Sequence, residues 1–253
     1  GTKTLVLSNG VKVTYKNTDF KNDEVLFEAV SLGGTNLYSN EDMKKVQFAN
    51  GALAEAGFSG LKLNDINKFM TGKIARVNPY IGGSTEGLRG NSTPKDLEYL
   101  FQMTHAYFTD LNMDVTAFED KSWAETDYKL AYNKYKERFA NAADFEFYFV
   151  GNIDDKTMEA YSIKYLASLP ATDKKEKAVD LGYRMLKGDL KKVVNKGTDP
   201  KSNVTIMYYG DAKYSAKDAM SMQALGEVLT IKLIEQLREN ESEDLVTVPM
   251  QVK

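Results

Sequence analysis

The chain has 253 residues, 42% apolar and 27% charged, with a net charge of −3. That is enough length for a sizeable core in one or two ordinary globular domains, and the charge points to neither a nucleic-acid partner nor an anionic membrane surface. The absence of cysteine excludes disulfides, thiolate metal sites and cysteine catalysis without fixing a compartment.

No run approaches the ~18 apolar residues of a spanning helix, so no membrane span is expected, and no signal peptide precedes the first strand. Gly1 has no Met before it, which reads as a processed or excised piece with Gly1 as a cloning remnant. Thr4 to Tyr15 reads as a hairpin: Leu5 and Leu7 alternate with polar residues, Asn9-Gly10 is a two-residue turn signal, and Val11, Val13 and Tyr15 resume the alternation. Val25, Phe27 and Ala29 give a third strand ended by Gly33-Gly34. Ser39 to Asp42 opens a helix through Ala56 with Gly57 after it. A short helix follows from about Asn64 to Thr71, and Arg76 to Arg89 reads as strands or a hairpin. Thr93-Pro-Lys-Asp96 places an N-cap, Pro at the first helical position and an acid at the third. The helix it opens carries Leu97, Leu100, Phe101 and Phe108.

Residues 112–127 have no strong period. Tyr128 to Phe139 reads as a helix, Phe145 to Val150 as a buried strand ended by Gly151-Asn152, and Asp154 as the N-cap of a helix bearing Met158, Tyr161 and Leu166. The dense apolar run 145–150 predicts burial on part of both faces, in one sheet with strands 4–7, 11–15 and 25–30. Residues 174–192 are charged and read as a linker. Val193 to Lys196 and Val204 to Tyr209 read as strands, and Ser215 caps a long helix with Met220, Leu225, Val228, Leu229, Leu233 and Leu237 on its apolar face.

Little here carries chemistry by itself. His105 is the one histidine. A zinc site takes three protein ligands, two or more of them His or Cys, so one His without Cys reads as a solvated or packed side chain. The Gly82-Gly83 and Gly87 to Gly90 runs lack the Lys-Ser/Thr ending of a P-loop and read as turns or close backbone packing. The tyrosines at 99, 107, 128, 132 and 135 read as core with polar tips.

The order Tyr135-Lys-Glu-Arg-Phe-Ala-Asn-Ala-Ala-Asp-Phe-Glu-Phe-Tyr-Phe-Val-Gly-Asn-Ile-Asp154, then Leu169-Pro170, resembles a segment of the pitrilysin/insulinase family of zinc metallopeptidases. In that family a catalytic half carries His-x-x-Glu-His in the first long helix after the third strand. Two histidines and a downstream Glu bind zinc, and the motif Glu is the general base. At the corresponding place, after Ser31-Leu-Gly-Gly34, the resemblance puts Gln47, Asn50 and Gly51 where the first His, the base and the second His would stand. This looks like the family's inactive half. The run from Gly197 to Gly210, Tyr214-Ser215 and Leu229 to Glu239 resembles the opening of the next lobe. Arg238 resembles the Arg of a substrate-contacting Arg–Tyr pair, but position 245, where the Tyr is expected, is Leu. A cation in the last turn of a helix is the alternative reading of Arg238. The family has further helices and a strand between Phe118 and Trp123 and most of a second lobe after Glu241. Either they are naturally deleted here or the sequence joins parts of a longer chain.

The expected fold is therefore α+β, a mostly antiparallel sheet with helices packed on one face. The expected domains are an inactive peptidase-like lobe over 1–170, a linker over 171–192 and the start of a second, truncated lobe over 193–253. The resemblance implies a non-catalytic substrate-binding half of a zinc metalloendopeptidase. No cofactor is expected in this chain, with zinc in the catalytic half, and the partners are that half, in the same chain or another subunit, and a peptide substrate. The alternative is a non-enzymatic structural or assembly protein with the same fold.

Overall fold

The computed structural model describes residues 1–46, 56–113, 127–184, 188, 191–193, 206, 209–211 and 213–239. They divide into two units, 1–183 and 184–253, each described by itself.

The first unit opens with strands β1 (Lys3–Val6) and β2 (Lys12–Asn17), followed by β3 (Val25–Leu32). The β1–β2 connection is a three-residue loop, because Leu7 N–H donates to Val11 O at 2.9 Å and encloses Ser8, Asn9 and Gly10. Gly10, at φ 84°, takes the left-handed position that such loops place last, so the expected two-residue turn is one residue longer. Asn9 is drawn away from a two-residue turn by its amide, which donates to Leu166 O at 2.9 Å and Leu169 O at 3.1 Å.

Helix α1 (Asn40–Val46) starts as expected, with Ser39 Oγ accepting from Asp42 N–H at 3.0 Å. Then come α2 (Leu63–Phe69), β4 (Ala75–Ile81), β5 (Thr85–Ser92) and α3 (Leu97–Thr109). Helix α3 begins after Asp96 rather than at Pro94, because Asp96 is turned toward the sheet. Its carboxylate accepts from Ile74 N–H at 2.8 Å, and its own N–H donates to Thr93 Oγ1 at 3.2 Å. Helix α4 (Tyr128–Arg138), β6 (Glu146–Gly151) and α5 (Asp155–Tyr161), which continues as a π-helical turn to Leu166, complete the unit. Asp154 caps α5, accepting from Thr157 N–H at 2.9 Å and Thr157 Oγ1 at 2.6 Å. Asp154→Ala is expected to lower stability by about 0.5–2 kcal/mol in urea unfolding. These bonds hold the Asp154 carboxyl below its usual range, so this contribution is present above the ordinary carboxylate pKa and is lost as pH falls through the lowered one.

The six strands form one sheet in the order β1-β2-β6-β3-β5-β4. Only the β2–β6 pairing is parallel, so the fold is α+β with a mostly antiparallel sheet, as expected from the sequence. Strand β6 enters between β2 and β3, setting Phe147 beside Val13 and Ala29 and Phe149 beside Tyr15 and Phe27. On this face the Phe101 ring of α3 stacks on Phe149 at 4.9 Å, and Phe108 meets Phe145 at 4.9 Å. The expectation of burial on both faces of β6 is corrected. Phe147 and Phe149 are 0% exposed, whereas Tyr148 and Val150, pointing the other way, are 41% and 42% exposed. The apolar run is long because aromatic and β-branched residues suit a strand, and not because two layers cover it.

In the second unit, α6 (Ala216–Leu233) continues as a π-helical turn to Glu239 and is capped by Ser215, whose Oγ accepts from Asp218 N–H at 3.0 Å. Met220, Val228 and Ile231 on α6 are exposed. The strands expected over 193–196 and 204–209 fall almost wholly outside the described residues.

Candidate functional site

The turn after β3 is where the sequence resemblance points. Gly33 N–H donates to Ser84 O at 2.9 Å, Thr35 N–H to Gly82 O at 2.8 Å and Asn36 N–H to Gly83 O at 2.8 Å. The turn is thus laced to the β4–β5 connection. Gly34 sits at φ 68°, and a Cβ there would lie 2.4 Å from Gly83 O and 2.5 Å from Gly82 O. Helix α1 leaves this turn and runs along α4, with Lys134 Nζ 3.2 Å from Asp42 and Asp127 N–H donating to Lys45 O at 2.9 Å. Gln47, Asn50 and Gly51 come directly after α1 and lie outside the described residues.

Under the turn is a buried charge cluster that the sequence reading missed. Glu86 of β5 is 1% exposed, and its Oε2 accepts from Gly34 N–H at 2.5 Å. Arg138, the last residue of α4, is 4% exposed and donates through both terminal nitrogens to the Glu176 carboxylate. Gly33 keeps the two side chains within reach of each other, since a Cβ there would lie 2.9 Å from both Arg138 Nη1 and Glu86 Oε2. Burial pushes the Glu86 carboxyl up to about 7, against the opposing pull of Gly34 N–H and Arg138. Burial likewise raises the Tyr38 phenol. Among the described residues five buried side-chain atoms have no hydrogen-bond partner, and three of them, Tyr38 Oη, Glu86 Oε1 and Arg138 Nε, belong to this cluster. Such a concentration of unpaired polar atoms is unusual in a folded interior.

A carboxylate that titrates near neutrality is a general-base candidate. Glu86 fails as one because it is sealed: no substrate atom reaches a side chain that is 1% exposed. The one sequence signal for it was a charged residue inside a glycine-rich strand. Arg138 gave none, since a basic residue in the last turn of a helix is ordinary.

His105 lies mid-helix on α3, half-buried, with Nδ1 3.3 Å from Thr109 Oγ1. Burial lowers its pKa. It lines a cleft of about 320 Å³ with Ser59, Gln102, Thr109, Asp110 and Tyr165. Among the described residues no three His, Asp or Glu side chains gather as a metal-ligand set. The glycines of β5 serve close packing: a Cβ on Gly87 would lie 2.1 Å from Ala29 O and 2.8 Å from the Tyr80 ring. Arg238 is in the turn after α6, where only its backbone is described. No helix among the described residues is long and apolar enough to cross a membrane.

Fold and site together define an α+β lobe without a metal-ligand constellation among the described residues. Comparison with known proteins narrows the class. Residues 132–245 match the family described as the Peptidase M16 inactive domain. A probable zinc protease, PqqL of Haemophilus influenzae, is 23% identical over 93% of this chain and 29% of its own length. Among solved structures, the periplasmic protease PqqL of Escherichia coli shares the fold at a TM-score of 0.58 and 16% identity, over 70% of this chain and 24% of that one. The ferredoxin protease FusC, solved with Arabidopsis ferredoxin, matches at a TM-score of 0.58 and 12% identity over the same shares. The resemblance read from the sequence therefore holds: residues 132–245 match the M16 inactive domain, and the chain is similar to zinc proteases. It spans less than a third of the length of each of these three proteins.

Proposed function

We propose that this chain is part of the non-catalytic, substrate-binding half of a zinc metalloendopeptidase and acts in proteolysis only with a zinc-bearing catalytic half, in the same chain or on another subunit. The match of residues 132–245 to the family's inactive domain carries the reading. The donor chemistry supports it. Gln47, Asn50 and Gly51 offer two neutral amides and no side chain where zinc needs imidazoles and the reaction needs a carboxylate base. These residues do not fit zinc, and no step of peptide hydrolysis is assigned to them. In this reading residues 1–170 form the inactive lobe, 171–192 the linker and 193–253 the start of the next lobe, and Arg238 contacts substrate.

The test uses the purified, dialysed chain. It is expected to retain well under one equivalent of zinc and to leave unstructured peptides uncut, and adding the catalytic half is expected to raise that half's cleavage rate. Chelator-sensitive cleavage by the chain alone, or stoichiometric zinc lost on His105→Ala, would overturn the reading. A catalytic half indifferent to the chain would favour an assembly role instead.

A further inference from the structure

Residues 171–183 cross the end of the first unit as an extended segment without helix or strand. A file of polar contacts holds them to the 3-10 turn Ala142–Asp144 and its neighbours. Thr172 N–H donates to Asn141 Oδ1 at 2.8 Å, Asn141 Nδ2 to Lys174 O at 2.5 Å and Glu176 N–H to Asp144 Oδ2 at 2.9 Å. Lys175 Nζ donates to Ala143 O, and Asn36 Nδ2, from the β3 turn, donates to Val179 O at 2.8 Å. No large apolar side chain between 171 and 178 fixes this stretch in the core. Its ion pair with Arg138 through Glu176 is well covered, with side chains 19% and 2% exposed.

We propose that this segment is a releasable strap: Glu176 on Arg138 is its catch, and the charge on buried Glu86 decides whether Arg138 holds the strap or turns to Glu86. The proposal rests on the cluster geometry and not on the peptidase reading. Arg138 has one positive charge and two buried or half-buried carboxylates to serve. With Glu86 protonated, Arg138 serves Glu176 and, at 3.3 Å, the exposed Glu137 beside it, and the strap is held. With Glu86 ionised, two carboxylates compete for one guanidinium, and an uncompensated buried charge is costly.

The groups facing Glu86 are the Gly33-Gly34 turn, Tyr38, Arg138, Asp144 and Glu176, with Lys134, Glu137, Lys174 and Lys175 further out. Glu176 and Asp144 add to the burial that keeps Glu86 at about 7, while Gly34 N–H and Arg138 oppose it. Release of the strap removes Glu176, admits water and frees Arg138, and each of these lowers the Glu86 pKa. The carboxyl is thus higher in the held state than in the released one. The held state is favoured in full below the released-state pKa, loses up to about tenfold in its ratio to the released state for each pH unit between that pKa and about 7, and levels off above it.

The chain has no cysteine, so Lys177→Cys gives a single thiol for a nitroxide label on an exposed position of the strap. The immobile fraction of its spectrum is expected to dominate at pH 5.5 and to give way to a mobile one by pH 8.5. With Glu86→Gln the label stays immobile throughout, and with Glu176→Gln it is mobile throughout. His105 is the only histidine, and His105→Gln is expected to leave the transition in place. A spectrum constant across this range, or an unchanged transition in Glu86→Gln, overturns the proposal. Should Glu86→Gln fail to fold, an immobile label in Glu176→Gln at pH 7.5 does the same.

Discussion

Phe147→Ala is expected to remove about 3–5 kcal/mol from the stability of the first unit, the range for truncating a fully buried Phe. The ring is 0% exposed and sits on the central strand, between Val13 of β2 and Ala29 of β3. It lies within ring-packing distance of Phe108 at 5.9 Å and of Phe27 and Phe145 at 6.4 Å. Those neighbours come from three elements, so the cavity left behind cannot close by moving one side chain. Tyr148→Ala, one residue on and facing away from the helices, is expected to cost a fraction of that. Urea unfolding followed by far-UV circular dichroism compares the two. A Phe147→Ala loss below about 1 kcal/mol would remove β6 from the centre of the core.

The second large effect is expected at Gly34. Its φ of 68° costs an L-residue about 1–2 kcal/mol. A Cβ would also lie 2.4–2.6 Å from the Gly82 and Gly83 backbone, which cannot swing aside as a side-chain tip can. Overpacking of this kind adds about 1–3 kcal/mol, so Gly34→Ala is expected to cost about 2–5 kcal/mol. Gly72 provides the reference, with φ 78° and nothing within 4 Å of its added Cβ. Gly72→Ala therefore measures the backbone penalty alone. If the two variants unfold at the same urea concentration, the close approach of the β3 turn to the β4–β5 connection is wrong.

Much of the scaffold was legible because its signals are local. Leu5, Leu7, Val11, Val13 and Tyr15 alternate, Asp154 and Ser215 cap, and glycines end β3 and β6. Strand β6 joins the N-terminal strands as expected, although only one of its faces has the cover on which that expectation rested. What escaped was set by distant partners. Asp96 reads as a residue inside a helix until Ile74 N–H takes its carboxylate. Nothing local in the sequence marks Glu86 and Arg138 as buried, and it is the Gly33-Gly34 turn that folds over them. The bareness of Tyr148 and Val150 depends on which face the helices choose, and apolar content alone does not specify that. Of the site residues read from the resemblance, Gln47, Asn50, Gly51 and the Arg238 side chain fall outside the described residues.

The place of β6 bears on how the chain folds. β2 and β3 follow each other in sequence but do not touch as strands, and the gap between them is filled by a segment that arrives after α1, α2, the β4–β5 hairpin, α3 and α4. Until a nascent chain has released residues beyond Gly151, the β1–β2 ribbon and the β3–β5–β4 sheet each present a bare inner edge, and such edges invite pairing with other chains. Closing them requires contacts of long sequence separation, which slows folding. The sheet therefore cannot close until its last strand has emerged to pair with β2 on one side and β3 on the other.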